Sequence, residues 1–194
     1  MVGLRGALVA VLCVGLLAGC QDDPKPKVAD PTTPAPSTSG LPTTSVPTTT
    51  STPTPTGPVE PPEAALNSDS GAKAFVTYYI DVFNFAEASG DTTLLASLAT
   101  DHCAACSGYV RAINKAYDGG GRIEGGQLTL GELRDLPAAF GADKGVYALG
   151  RSTRQTVFGA DGTAIDDNPS STFRLFAYPK WSGDAWLMHW MRTP

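Results

Sequence analysis

The chain has 194 residues, of which 42% are hydrophobic and 17% charged, and a formal net charge of −5. Between residues 67 and 194, 11 Lys and Arg stand singly among 14 Asp and Glu. That pattern offers no basic stripe to a phosphate backbone, so nucleic acid is excluded as the expected partner. An acidic domain also gains no electrostatic attraction to an anionic bilayer, so attachment to a membrane must come from an apolar group.

Such a group is encoded at the start. Arg5 precedes an uncharged apolar run from Ala7 to Leu17, and the small residues Ala18 and Gly19 follow it. A positive segment, a short apolar segment and small residues make an export signal. The run is about half of the ~20 residues that span a bilayer, which argues against a single transmembrane helix. Leu17-Ala18-Gly19-Cys20 reads as a lipobox, in which the Cys20 thiol takes a diacylglyceryl group and the bond before it is cut. The expected organisation is a lipoprotein signal peptide over 1–19, a lipidated cysteine and stalk over 20–66, and one globular domain over 67–194. The expected location is the extracytoplasmic face of the cell membrane, held through Cys20.

The stalk is dominated by Pro, Thr and Ser, as in Thr43 to Thr56, with no apolar period. It cannot bury enough surface to offset the entropy of ordering it. Extended polyproline at ~3.1 Å per residue would reach on the order of 100 Å. The composition suits either an O-glycosylated stalk or a bare tether.

The domain opens with Ser68, Asp69 and Ser70 as N-caps for a helix from Ala72 to Ala88, ended by Gly90. At 100° per residue, Phe75, Tyr79, Val82 and Ala86 share one face, while Lys73, Thr77, Asn84 and Glu87 fall opposite. Asp91 can cap a short helix containing Leu94, Leu95 and Leu98. A third helix fits Ala105 to Tyr117 and stops at Gly119-Gly120-Gly121. The period then moves towards 2, predicting strands over Gln127 to Leu133, Val146 to Phe158, Ser171 to Tyr178 and Ala185 to Met191. Asp161-Gly162 marks a hairpin turn. Helices followed by antiparallel strands predict an α+β domain, three helices packed on a curved antiparallel sheet of about four strands.

This order of parts resembles the nuclear-transport-factor-2-like cone fold. More closely, the lipobox, the Thr/Pro stalk, the segment Gly71 to Asp81, Gly90-Asp91-Thr92, Cys103 with Cys106, and Gly125-Gly126 resemble a family of actinobacterial lipoproteins carrying a domain of unknown function. The resemblance implies a fold but no activity, because cone folds host enzymes, ligand carriers and interaction modules alike.

Four residues remain as chemical candidates. Cys103 and Cys106, three apart in an exported chain, are expected to form a disulfide. A redox pair is the alternative, and a zinc site with His102 lacks a fourth ligand. Asp81 and His189 are weak candidates for an acid–base pair. No motif calls for a cofactor or metal. Phe173 and Phe176 face opposite ways, as do Trp186 and Leu187, so both faces of the sheet are apolar and one is expected to line a pocket or meet another chain. The expected function is a lipid-anchored surface protein presenting a non-catalytic binding or interaction domain, whose partner is an envelope protein or an apolar ligand. The alternatives are a small acid–base enzyme acting on an apolar or envelope-derived substrate, and a thiol-disulfide redox protein.

Overall fold

Helix α1 (Asp69–Ser89) begins where Ser68, in extended backbone, accepts a hydrogen bond from the amide of Gly71 at 3.0 Å. It ends at Gly90, whose φ of 78° is left-handed and whose missing side chain makes room for the ring of Tyr117. The computed structural model describes residues 57–193, all within the unit Ser51–Pro194. Ordered structure starts ahead of α1. A 3₁₀ turn over Pro62–Ala65 buries Ala64 completely, and Leu66 accepts a 2.9 Å bond from the indole of Trp186. Helices α2 (Thr93–Ser97) and α3 (Ala104–Tyr117) follow, and Asp91 accepts from the amide of Thr93 at the start of α2.

Seven strands complete the chain: β1 (Arg122–Gly125), β2 (Leu128–Leu136), β3 (Gly145–Ser152), β4 (Gln155–Phe158), β5 (Ala164–Asn168), β6 (Ser171–Ser182) and β7 (Ala185–Arg192). They form two antiparallel sheets, β1-β4-β5 and β2-β3-β6-β7. The expected single curved sheet of about four strands under three N-terminal helices, the cone of the resemblance, is therefore corrected. There are two sheets, of three and four strands, and the helices occupy the middle of the chain.

The physical reason lies in three breaks at one level. Gly126-Gln127, Thr153-Arg154 and Pro169-Ser170 each separate a strand of the small sheet from a strand of the large one. Gly125 and Gly126 take φ of 75° and 78°, which turn the backbone off the strand path. Pro169 has no amide to give a ladder. The predicted strand Val146 to Phe158 is thus two strands, one in each sheet. Thr153 donates to Gln127 across the break, and Gly126 donates to Arg154, so the crease is hydrogen-bonded.

Helix α1 touches β1, β2, β3, β6 and β7, and so crosses both sheets. Phe75, Val76, Tyr79 and Val82 pack with Leu175, Trp186 and Met188 in the core. The small side chains of Ala148 and Ala177 are also fully buried there. Burial runs around most of α1: Ile80, Phe83 and Glu87 are buried too, so the helix has more than the one buried face its period suggests. No helix among the described residues is long and apolar enough to cross a membrane.

Strand β7 carries a bulge. Tyr178 pairs with Trp190 and Pro179 with Met188, leaving His189 as an extra residue. The alternation that begins with Trp186 inward and Leu187 outward changes phase there. Trp186, Met188 and Met191 are buried in the core, and Trp190 stands on the other face with Tyr178.

Candidate functional site

The crease and the helices enclose a cavity of about 560 Å³. Its helical wall is Ile80, Phe83 and Glu87 of α1 with Tyr109 of α3, and its sheet wall runs from Leu128 to Phe173 and Met191. Phe173 lies across β3 because Gly150 opposite it has no side chain to meet the ring. The volume falls within the range of small-ligand pockets, and its apolar walls are edged by the polar side chains of Ser152, Thr153, Gln155, Asn168, Ser171, Thr172 and Thr193.

Glu87 is the charged group of this wall. It is buried at 7% exposure, and Oε1 accepts a 2.8 Å bond from Nε2 of Gln155. Oε2 is buried with no partner among the described residues. Burial pushes the carboxyl up to about 7, against the lowering effect of the Gln155 bond. A side chain on Gly126 would begin 2.6 Å from Nε2 of Gln155 and 2.9 Å from Oε2, so only glycine fits at that corner. Behind Glu87, Tyr117 donates to its backbone carbonyl at 2.7 Å. One turn earlier, Asn84 exchanges two bonds with the backbone of Leu128, at 2.8 and 2.9 Å. These bonds fix α1 against the mouth of the crease, and with it the direction of the carboxyl.

Sequence reasoning placed Glu87 on the polar face and missed it. A signal existed: Ile80, Phe83 and Glu87 follow one another at three and four, so the carboxyl continues an apolar stripe. The hydroxyl of Tyr79 is a second buried group without a partner among the described residues, and burial pushes its pKa up and so suppresses its ionisation, with Tyr109 adding to the effect.

The predicted candidates lie elsewhere. Asp81 is exposed on α1, one residue from the cavity-lining Ile80 but outside the lining, and partial burial raises its carboxyl somewhat. His189 sits at the bulge, its Nδ1 2.9 Å from the Thr100 hydroxyl and its ring 5.0 Å from that of His102. Burial holds this imidazole below its ordinary value, and His102 adds to the effect. The structure does not bring Asp81 and His189 together in one site. Cys103 and Cys106 are bonded to each other, with α-carbons 5.2 Å apart, and each is 1% exposed at the start of α3. A redox partner has no path to those sulfurs in the folded domain. Among the described residues no cluster of His, Cys, Asp and Glu is placed to hold a metal ion. Cys20 lies outside the described residues.

No curated protein matches the chain. Among solved structures it is similar to the intermembrane-space region of the chloroplast protein ARC6, at 10% identity and a TM-score of 0.44, over 65% of this chain and 95% of that one. Aln2 from a Streptomyces species gives 13% identity and 0.40, over 66% and 92%. A periplasmic fragment of TraM gives 13% and 0.41, over 66% and 98%. Residues 44–191 match the family of unknown function DUF6318, a span that takes in every strand and helix described above except the last residue of β7, and the chain belongs to that family.

Proposed function

We propose that the chain is a lipid-anchored protein of the extracytoplasmic membrane face, of the actinobacterial lipoprotein kind, whose domain binds a small and mostly apolar molecule in the crease cavity. The anchor rests on Leu17-Ala18-Gly19-Cys20 and the short apolar run before it. The binding reading is carried by one observation, the buried and unpartnered Oε2 of Glu87 on the wall of an apolar cavity. Leaving such an acceptor unmet costs about 1–3 kcal/mol. With the Glu87 side chain turned into the cavity, a ligand with one N–H or O–H donor on an apolar body would satisfy it and cover the rest of the wall.

N-phenyl-1-naphthylamine is a probe of that chemistry, dark in water and fluorescent in an apolar site. The full chain should give saturable fluorescence that is lost in Ser152→Phe, which fills the cavity. Equal signals from the two proteins would overturn the reading, and any detergent contributes alike to both. A second reading has its own support. A carboxyl raised to about 7 is poised to give or take a proton near neutrality, as an acid–base enzyme on the same ligand would require. In that case Glu87→Gln keeps the probe bound and abolishes turnover, whereas in a pure carrier it only weakens binding.

A further inference from the structure

We infer that the outer face of the large sheet is a second binding surface, built for an acidic polysaccharide whose anionic groups are separated by neutral sugar faces. The register of β2, β3, β6 and β7 gathers onto this face four arginines that are far apart in sequence. Arg134 pairs with Tyr147, Tyr147 with Phe176, and Phe176 with Arg192, so one row across the sheet reads Arg-Tyr-Phe-Arg. Arg151 pairs with Thr172, two residues before Arg174, and Arg192 pairs with Phe176, two residues after it. Arg151, Arg174 and Arg192 therefore stand on a straight diagonal over three strands, at steps of about 7–8 Å. All three are exposed, and among the described residues none is within ion-pair distance of a carboxylate. Arg134 is the exception, held by Glu132 at 3.1 Å.

Aromatic rings lie beside this line. Tyr147 and Phe176 are in contact at 5.3 Å between centroids, and Tyr178 and Trp190 at 5.4 Å. Phe140 stacks on Trp190 at 4.2 Å and remains 57% exposed. It does so from a φ of 55°, the one non-glycine residue among the described residues in that region. Backbone strain of this kind gathers at functional sites.

The charge pattern chooses the occupant. The domain as a whole is acidic, so it repels a densely charged polymer at long range, and this face is where unpaired arginines gather. That argues for spaced charges met by contact, which guanidinium forks supply to carboxylates. The neutral units between them need flat apolar partners, and the C–H face of a pyranose meets the electron-rich face of an aromatic ring. The threonines Thr129 and Thr172 on the same face add hydroxyls for sugar oxygens.

The test uses the full chain, Trp fluorescence and a hyaluronate octamer, whose uronates alternate with neutral sugars, with a polygalacturonate octamer, neutral dextran, a thymidine decamer and phosphatidylglycerol vesicles as competitors for the assignment. The hyaluronate octamer should bind saturably and more tightly than the polygalacturonate octamer, and the double variant Arg151→Gln/Arg174→Gln should weaken it by about tenfold or more with an unchanged melting temperature. Exposed and unpaired, both arginines are dispensable to the fold. No saturable hyaluronate binding, or equal binding by the variant, overturns the inference. So does an arginine-dependent preference for the decamer, or for phosphatidylglycerol over phosphatidylcholine vesicles, that exceeds the glycan effect. The anchor contributes equally to wild type and variant in the vesicle comparison.

Discussion

Gln155 donates to one oxygen of Glu87 at 2.8 Å, and the other oxygen of that carboxyl is buried without a partner. The consequence is a pH-dependent stability with a definite sign. The folded carboxyl titrates at about 7, against 4.5 for an ordinary glutamate, so the folded state holds its proton more tightly than the unfolded state. Stability is then greatest below about 4.5 and falls as pH rises through about 7, by on the order of 3 kcal/mol. His189, held below its ordinary value, contributes in the opposite sense, losing stability as pH falls. Comparing urea midpoints of wild type and Glu87→Gln from pH 5 to 8 isolates the carboxyl. The variant should gain on wild type as pH rises, and parallel curves would show that Glu87 is not buried.

Gly126 faces that free oxygen at a φ of 78°. Gly126→Ala both strains the backbone and drives a methyl against Nε2 of Gln155 and Oε2 of Glu87, so it should cost about 1–2 kcal/mol and abolish probe fluorescence. Retained fluorescence in a destabilised protein would separate the backbone effect from the site.

Gly90 is required twice, by its φ of 78° and by the Tyr117 ring against it. Gly90→Ala should lose about 2 kcal/mol or more in denaturant unfolding, since the same ring also supplies the bond to the Glu87 carbonyl. An effect below half that size would mean the α1–α3 contact is loose.

The Cys103–Cys106 bond closes a loop of three-residue separation. Loop entropy then limits its contribution to about 2 kcal/mol, which Cys103→Ala/Cys106→Ala should remove. Because both sulfurs are buried, dithiothreitol should reduce the wild type slowly under native conditions and rapidly in denaturant, as counted by thiol labelling. Fast native reduction would restore the redox reading.

Cys20→Ser should move the protein from the membrane fraction to the soluble or secreted fraction. Persistence in the membrane would refute the lipobox reading.

How much of this was legible in the sequence depended on whether the signal was local. The Ser68 cap, the Gly90 stop, the span of α3 and the Asp161-Gly162 hairpin follow from side chains within a turn of one another, and these were readable. The division into two sheets was not. The breaks at Gly126, Thr153 and Pro169 become one crease only after distant strands pair, and Ser152 to Gln155 reads by itself as a continuation of an alternating strand. Glu87 was hidden for a related reason. A helix wedged against two sheets buries more of its circumference than a single-faced period describes. The arginine diagonal needed register, which no composition count contains.

The extra residue at His189 gives β7 an unusual position in the molecule. Before it, Trp186 and Met188 complete the core; after it, Met191 walls the cavity while Trp190 and Arg192 belong to the opposite surface. The strand thus runs in two reading frames, and the bulge is the frameshift between them. Deleting that single residue would bring Met188 and Trp190 next to each other, as their partners Pro179 and Tyr178 already are, and so leave a regular strand with Trp190 still outward and Met191 still inward. What one lost codon would remove is the contact of His189 with the Thr100 hydroxyl and the His102 ring, so the cavity wall and the aromatic strip keep their places while the link to the α2–α3 connection goes.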